Sequence, residues 1–205
     1  MRTRDGLVLG LWLALVGTAQ GLLLEHSTTA GDPGHPLPTL PRELATALGA
    51  EPGQPLLLLA AHPQCPCLPA SLDELERVRA GTDVPLRVLL HTPSTQPIAW
   101  DADGDRRVRA RLPGGSVLDD RDGTLTLQLG LATSGHVLLY DGHGRLRFCG
   151  GITAGRGHAG ANTASQRLAD ALDDLAHAGK PVVTTAVFGC PLRADSDAHD
   201  CCQTR

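Results

Sequence analysis

The residues best placed to do chemistry are Cys65 and Cys67, separated only by Pro66 and preceded by His62 in Ala61-His-Pro-Gln-Cys-Pro-Cys67. Two thiols this close support either thiol-disulfide exchange or capture of a soft metal ion. A disulfide across one intervening residue is feasible, because Cα atoms two residues apart fall within a window of ~4.4 to 6.8 Å. A small ring containing proline has little freedom to reach the preferred dihedral, so the pair is expected to be readily reduced, an oxidising or shuffling couple rather than a structural bridge. Cys65, as the first thiol of the turn, is expected to be the more exposed and the nucleophile, with Cys67 or Cys190 as the resolving thiol. That chemistry requires no cofactor. His62 has two readings: protonated, it favours a thiolate, and neutral, it is a metal ligand. In the metal reading Cys65, Cys67 and His62 bind Cu(I) or Zn(II), with His136 or His158 as more distant ligands. A solvated or hydrogen-bonded role is the plainer expectation for any one of these histidines. Cys149 reads as a small buried thiol. Cys201 and Cys202, with His199, sit in a polar tail where a solvated pair, disulfides to neighbouring chains and metal binding all remain open.

The elements that must position these thiols can be read from the flanking residues. Pro55 and the apolar run after it predict a buried strand, covered on both faces. Ser71-Leu-Asp-Glu74 forms a capping-box pattern with Leu72, Leu75 and Val78 on one helix face, while Pro69 offers an alternative start two residues earlier. Either way the thiols lie at or just before a helix N-terminus, where unpaired N–H groups favour a thiolate. Leu86 to Thr92 is a second, central strand, and Pro93 to Arg111 a polar excursion. Within that excursion Asp101-Ala-Asp103-Gly-Asp105 has its glycine fourth and Leu112 twelfth, which does not fit a calcium loop and predicts a solvated turn. Ser116 to Asp119 is a short strand, and Leu125 to Leu131 a short amphipathic stretch of open type. Gly135 to Asp141 and Arg145 to Cys149 form a hairpin around Gly142-His-Gly144. After a glycine-rich loop, Thr163-Ala-Ser-Gln166 caps a last helix bearing Leu168, Leu172 and Leu175, and Pro181 to Phe188 is an edge strand or extended tail that delivers Cys190. Gly155-Arg-Gly157-His-Ala-Gly160 matches a dinucleotide fingerprint, but its distance from the preceding strand and the lack of a following acidic residue argue against a nucleotide.

The chain of 205 residues carries a formal charge of -4 and a pI near 6.1, which excludes a nucleic-acid partner. Arg2 and Arg4 precede an uncharged run from Gly6 to Leu24. Its apolar part, residues 7–24, predicts a membrane anchor in the bilayer, with a signal peptide processed near Gly17-Thr-Ala19 as the competing reading. Both place the rest of the chain outside the cytoplasm. The expected organisation is an anchor or signal segment over 1–24, a tether over 25–41, a domain over 42–192 and a polar cysteine-containing tail over 193–205.

This order of elements, with a two-cysteine turn between the first core strand and its helix, resembles the thioredoxin fold, an α/β domain with a central mixed sheet flanked by helices. With Thr133-Ser-Gly-His-Val-Leu-Leu-Tyr-Asp141, Gly150-Gly-Ile-Thr153, Arg156-Gly-His158 and Phe188-Gly-Cys-Pro-Leu192, the Cys-Pro-Cys string resembles membrane-anchored bacterial RedB-type proteins. The resemblance implies a redox role in the periplasm at the inner membrane, with client protein thiols or a membrane electron donor as partners. Ordinary thioredoxins have two residues between their cysteines and a cis-proline before the third core strand. Here Ser134-Gly135 stands at that place, beside His136. The missing proline resembles the copper-chaperone branch of the fold.

Overall fold

A computed structural model of the chain describes residues 3–95, 102–112, 116–177 and 180–193. Six helices and six strands succeed one another as α1 (Thr3–Thr28), α2 (Arg42–Ala47), β1 (Leu56–Ala61), α3 (Leu68–Arg79), β2 (Leu86–Thr92), α4 (Ala102–Arg111), β3 (Val117–Arg121), α5 (Thr124–Gln128), β4 (Val137–Tyr140), β5 (Leu146–Gly150), α6 (Thr163–Asp173) and β6 (Val183–Thr184). The strands form one mixed sheet in the order β3-β2-β1-β4-β5-β6. β1 runs parallel to β2 and antiparallel to β4, with Leu57 opposite Leu86 on one side and Leu139 on the other.

β1 is buried along its whole length, as expected of an apolar run that cannot present a polar face. Its alternate residues feed two cores. Leu57, Leu59 and Ala61 pack with Leu72 and Leu75 of α3 and Leu168 and Leu172 of α6. Leu56, Leu58 and Ala60 pack with Leu44 and Leu48 around α2 and with Leu129 and Leu131 after α5. Both cores are built from aliphatic side chains, and Tyr140 and Phe148 are the largest fully buried residues.

Three elements differ from the sequence expectations. The acidic string expected to be a solvated turn opens α4, with Asp103 and Asp105 in its first turn and Arg109 and Arg111 in its last. That placement complements the helix dipole, and the ion pairs Asp103–Arg106 and Asp105–Arg109 support it. Only Val108 and Leu112 of this segment reach the core, too few to leave a periodic signal; Asp101 lies outside the described residues. α3 starts at Leu68 with Cys67 as its N-cap and Pro69 in its first turn, so the Ser71–Glu74 capping box does not form. α6 is capped one residue early, by Asn162, which accepts from Ala164 and Ser165 N–H in a capping box with Ser165.

The segment read as a tether over 25–41 is bound along the domain. Gly31 N–H donates to Val187 O at 2.8 Å, His35 N–H to Gly130 O at 2.8 Å and Leu40 N–H to Gly144 O at 2.8 Å. Thr133 Oγ1 donates to Asp32 O, and Tyr140 Oη to Leu37 O. The segment is therefore a strap running from the end of the sheet where β1 finishes to the end where β4 turns into β5.

Candidate active site

Cys65 and Cys67 lie in the turn between the C-terminal end of β1 and the first turn of α3, where strand direction and helix N-terminus converge. The turn is closed by Cys65 N–H donating to His62 O at 2.9 Å and Leu68 N–H to Cys65 O at 3.1 Å. Cys190 joins them from a distant part of the chain. Residues 189–192 run antiparallel beside residues 132–134: Thr133 bridges Pro191, Ser134 N–H donates to Cys190 O at 2.8 Å, and Leu192 N–H to Ala132 O at 2.8 Å. Glycine at 189 is what permits this approach, because a Cβ there would sit 1.9 Å from Ser134 O. All three cysteines are free thiols and buried.

Cys65 is the acidic member. Its sulfur is held far below the ordinary thiol range, first by the Cys190 thiol donating to it and then by the Cys67 thiol, against burial; the N–H groups of Cys190 and Cys67 add to this. Cys67 moves the opposite way. Its bond to Cys65, its burial and the Cys65 charge raise it, while Arg156 and the Gly157 N–H pull toward the thiolate. The expected greater exposure of Cys65 does not hold: Cys65 is 3% exposed and Cys67 8%, because the Cys190 segment covers the first thiol. Cys65 is set apart by the donors around it, not by accessibility.

His62 is half-buried and stacks on His91 of β2, with ring centroids 5.1 Å apart and planes 18° apart. Its pKa is lowered to about 4 by burial and then by His91, with the Cys65 charge opposing. Burial thus favours the neutral ring, which weighs against the protonated reading of His62. His136, fully buried, has its Nε2 3.3 Å from Cys149 Sγ on the opposite face of the sheet. His158 is exposed on the glycine-rich loop. Among the described residues no group of three or more His, Cys, Asp or Glu is placed to hold a metal ion. Cys201, Cys202 and His199 lie outside the described residues.

Three site features were hidden in the sequence. Ser134, at the place of the absent proline, accepts from His62 N–H at 3.0 Å through its hydroxyl, tying the histidine turn to the start of β4. Gly135, at φ 88°, packs under Ser71 of α3, a conformation proline cannot take. Glu74 is fully buried and accepts from Gly160 N–H at 2.6 Å and Asn162 Nδ2 at 3.2 Å, besides pairing with Arg77. It clamps the loop that brings Arg156 and Gly157 to Cys67. The loop's fingerprint-like N–H groups are thus already engaged, Arg156 N–H to Ser27 O, Gly157 N–H to Cys67 and Gly160 N–H to Glu74, none of them facing a phosphate.

A parallel strand pair joined through a helix, then an antiparallel hairpin and a helix, in the order β2-β1-β4-β5 with the thiol turn after β1, defines the thioredoxin-like fold. No protein-family profile matches the chain, and no curated protein matches it. Among solved structures, an uncharacterized conserved protein of Geobacillus kaustophilus is 14% identical, over 83% of this chain and 95% of that one, with a TM-score of 0.51. DsbF of Mycobacterium tuberculosis is 17% identical over 60% of this chain and 82% of that one, with a TM-score of 0.42. A secreted M. tuberculosis disulfide oxidoreductase homologous to E. coli DsbE is 18% identical over 62% and 84%, with a TM-score of 0.40. At 14% identity the likeness to the Geobacillus kaustophilus protein is one of fold.

Proposed function

We propose that the protein is a membrane-anchored, extracytoplasmic thiol-disulfide oxidoreductase of the RedB type, acting through Cys65, Cys67 and Cys190. The observation that carries this reading is the placement of two thiol donors on a third buried sulfur, which prepares one nucleophile and two resolving groups. The Cys65 thiolate attacks one sulfur of a client disulfide, forming a mixed disulfide and releasing the other client sulfur as a thiolate, which takes a proton. Once Cys65 is covalently bound it no longer carries the charge that raised Cys67. Burial remains, opposed by Arg156 and the Gly157 N–H, both of which favour the thiolate. Cys67 then gives up its proton and attacks Cys65 Sγ, releasing the second client thiol and leaving Cys65–Cys67 as the disulfide. Cys190 is the alternative resolving thiol. The client is reduced by two electrons and the protein oxidised by two; the reverse sequence oxidises a client dithiol.

The test is trapping. With Cys67→Ser, a peptide disulfide is expected to accumulate as a mixed disulfide on Cys65, visible as a mass increase equal to one peptide thiol. If only Cys67→Ser with Cys190→Ser traps it, Cys190 resolves. Full-rate turnover after Cys65→Ser would overturn the assignment. Protection of Cys65 and Cys67 from alkylation by one equivalent of Cu(I), without any reversible couple, would replace it with metal carriage.

A further inference from the structure

The thiol site and the membrane segment meet. Residues Asp5–Thr28 of α1 form a helix long and apolar enough to cross a membrane. Its apolar side chains face outward, Leu7 74%, Trp12 57% and Leu23 64% exposed, so the apolar stretch buries nothing against the domain. At ~1.5 Å per residue such a helix is roughly 36 Å long against a hydrocarbon core of about 30 Å, which leaves its last turn among the headgroups. That turn touches the site loop: Ser27 O accepts from Arg156 N–H at 2.9 Å, and Arg156 and the neighbouring Gly157 N–H are the groups that favour the Cys67 thiolate. The residue bonded to the helix end is thus in the same loop segment that acts on the active-site sulfur.

Little slack lies between. Gly31 N–H is already bonded to Val187 O and Asp32 O to Thr133 Oγ1, so only Thr29 and Ala30 separate α1 from chain fixed to the domain. Thr29 itself donates back to Glu25 O, continuing the turn. The strap then runs to Leu40 and Gly144, at the far end of the sheet. A β1-length sheet of ~3.3 Å per residue puts that end roughly 20 Å away along the strands.

We infer that α1 is retained in the bilayer and holds the Cys65–Cys67 rim at the lipid headgroups, so that its exchange partner is a disulfide or dithiol carried at headgroup level by an integral membrane protein. This inference rests on the redox reading of the site for its partner, but the placement can be measured without it. The full chain is reconstituted in phosphatidylcholine vesicles containing a headgroup-nitroxide lipid, with bimane on Ala159→Cys beside the site or on His143→Cys at the far end, the native cysteines replaced by serine and folding checked by circular dichroism. Quenching is expected to be several-fold stronger at position 159 than at 143. Equal quenching, stronger quenching at 143, or loss of the α1 mass from chains isolated from membranes of expressing cells overturns the placement.

A second arm reads the partner. The wild-type chain in vesicles is given either a phosphatidylethanolamine with a pyridyl disulfide on its headgroup or a soluble pyridyl disulfide, and release of pyridinethione is monitored. The Cys65 thiolate forms a mixed disulfide with the probe as pyridinethione leaves. Consumption of the lipid-borne disulfide, lost in Cys65→Ser, is expected. Consumption of the soluble probe alone overturns the membrane partner while leaving the redox reading intact; consumption of neither overturns the redox reading and leaves the quenching result to stand or fall by itself.

Discussion

Each face of the sheet holds a thiol near an imidazole, and the two pairs differ in every respect that matters for reactivity. On the α3 face, Cys65 lies by His62 and accepts from Cys190 and Cys67. On the other face, Cys149 lies 3.3 Å from His136 Nε2, and burial pushes its thiol up. Burial lowers both imidazoles to about 4, so neither is a cation at neutral pH and neither can account for a thiolate. The difference comes from donors. Cys65 is surrounded by S–H and N–H groups at a helix N-terminus, and Cys149 sits in mid-sheet with a neutral ring.

The largest effect that would break this contrast is kinetic. Cys65→Ser is expected to lower the rate of disulfide exchange at least about 100-fold, since no other group replaces a covalent nucleophile, whereas Cys149→Ser changes it by less than about twofold. Rates with a peptide disulfide substrate give both numbers. Comparable losses in the two variants would erase the distinction between the faces.

The second effect belongs to the other face. Unfolded, His136 takes up its proton near 6.5; folded, it resists until about 4. The unfolded state therefore binds more protons between those values, and stability present above pH 6.5 is lost as the pH falls, by about 3 kcal/mol once pH 4 is reached. His62 adds a smaller share because it is partly exposed. Urea unfolding of the wild-type protein and of His136→Gln from pH 7 to 4 checks this; the variant is expected to show the flatter profile.

Glu74 sharpens the comparison from the active side. Glu74→Ala removes the acceptor for Gly160 N–H and Asn162 Nδ2, at a cost of about 2 kcal/mol, or a melting temperature lower by roughly 4 to 8 °C. It also loosens the loop carrying Arg156 and Gly157, so resolution of the mixed disulfide slows more than its formation. Single-turnover kinetics separate the two steps.

The strands and the thiol turn were legible in the sequence because β1 is an uninterrupted aliphatic run and the prolines around Cys65 and Cys67 leave no alternative to a turn before a helix. What was not legible depends on contacts between distant residues. Glu74 resembled a local cap, yet besides Arg77 it binds partners 86 and 88 residues away. The cover that Cys190 places over Cys65 depends on a close approach allowed by Gly189, a relation with no local signature. The strap over residues 29–40 has no apolar period because its attachments are mostly backbone hydrogen bonds, which any sequence can make. α4 was lost for a related reason: helices held by ion pairs and two apolar contacts show charge order rather than periodicity.

The most direct test of the central claim, that thiol donors rather than a histidine make Cys65 a thiolate, is the pH dependence of its alkylation by iodoacetamide, resolved by mass spectrometry against Cys149. In the wild-type protein the Cys65 rate is expected to stay level down to about pH 5, while Cys149 continues to rise above pH 9. Cys190→Ser, or Gly189→Ala, which forces the segment off Ser134, should move the Cys65 midpoint upward by about one unit or more, and His62→Ala should not. A Cys65 profile that matches Cys149, or one that shifts with His62 and ignores Cys190, would contradict the account.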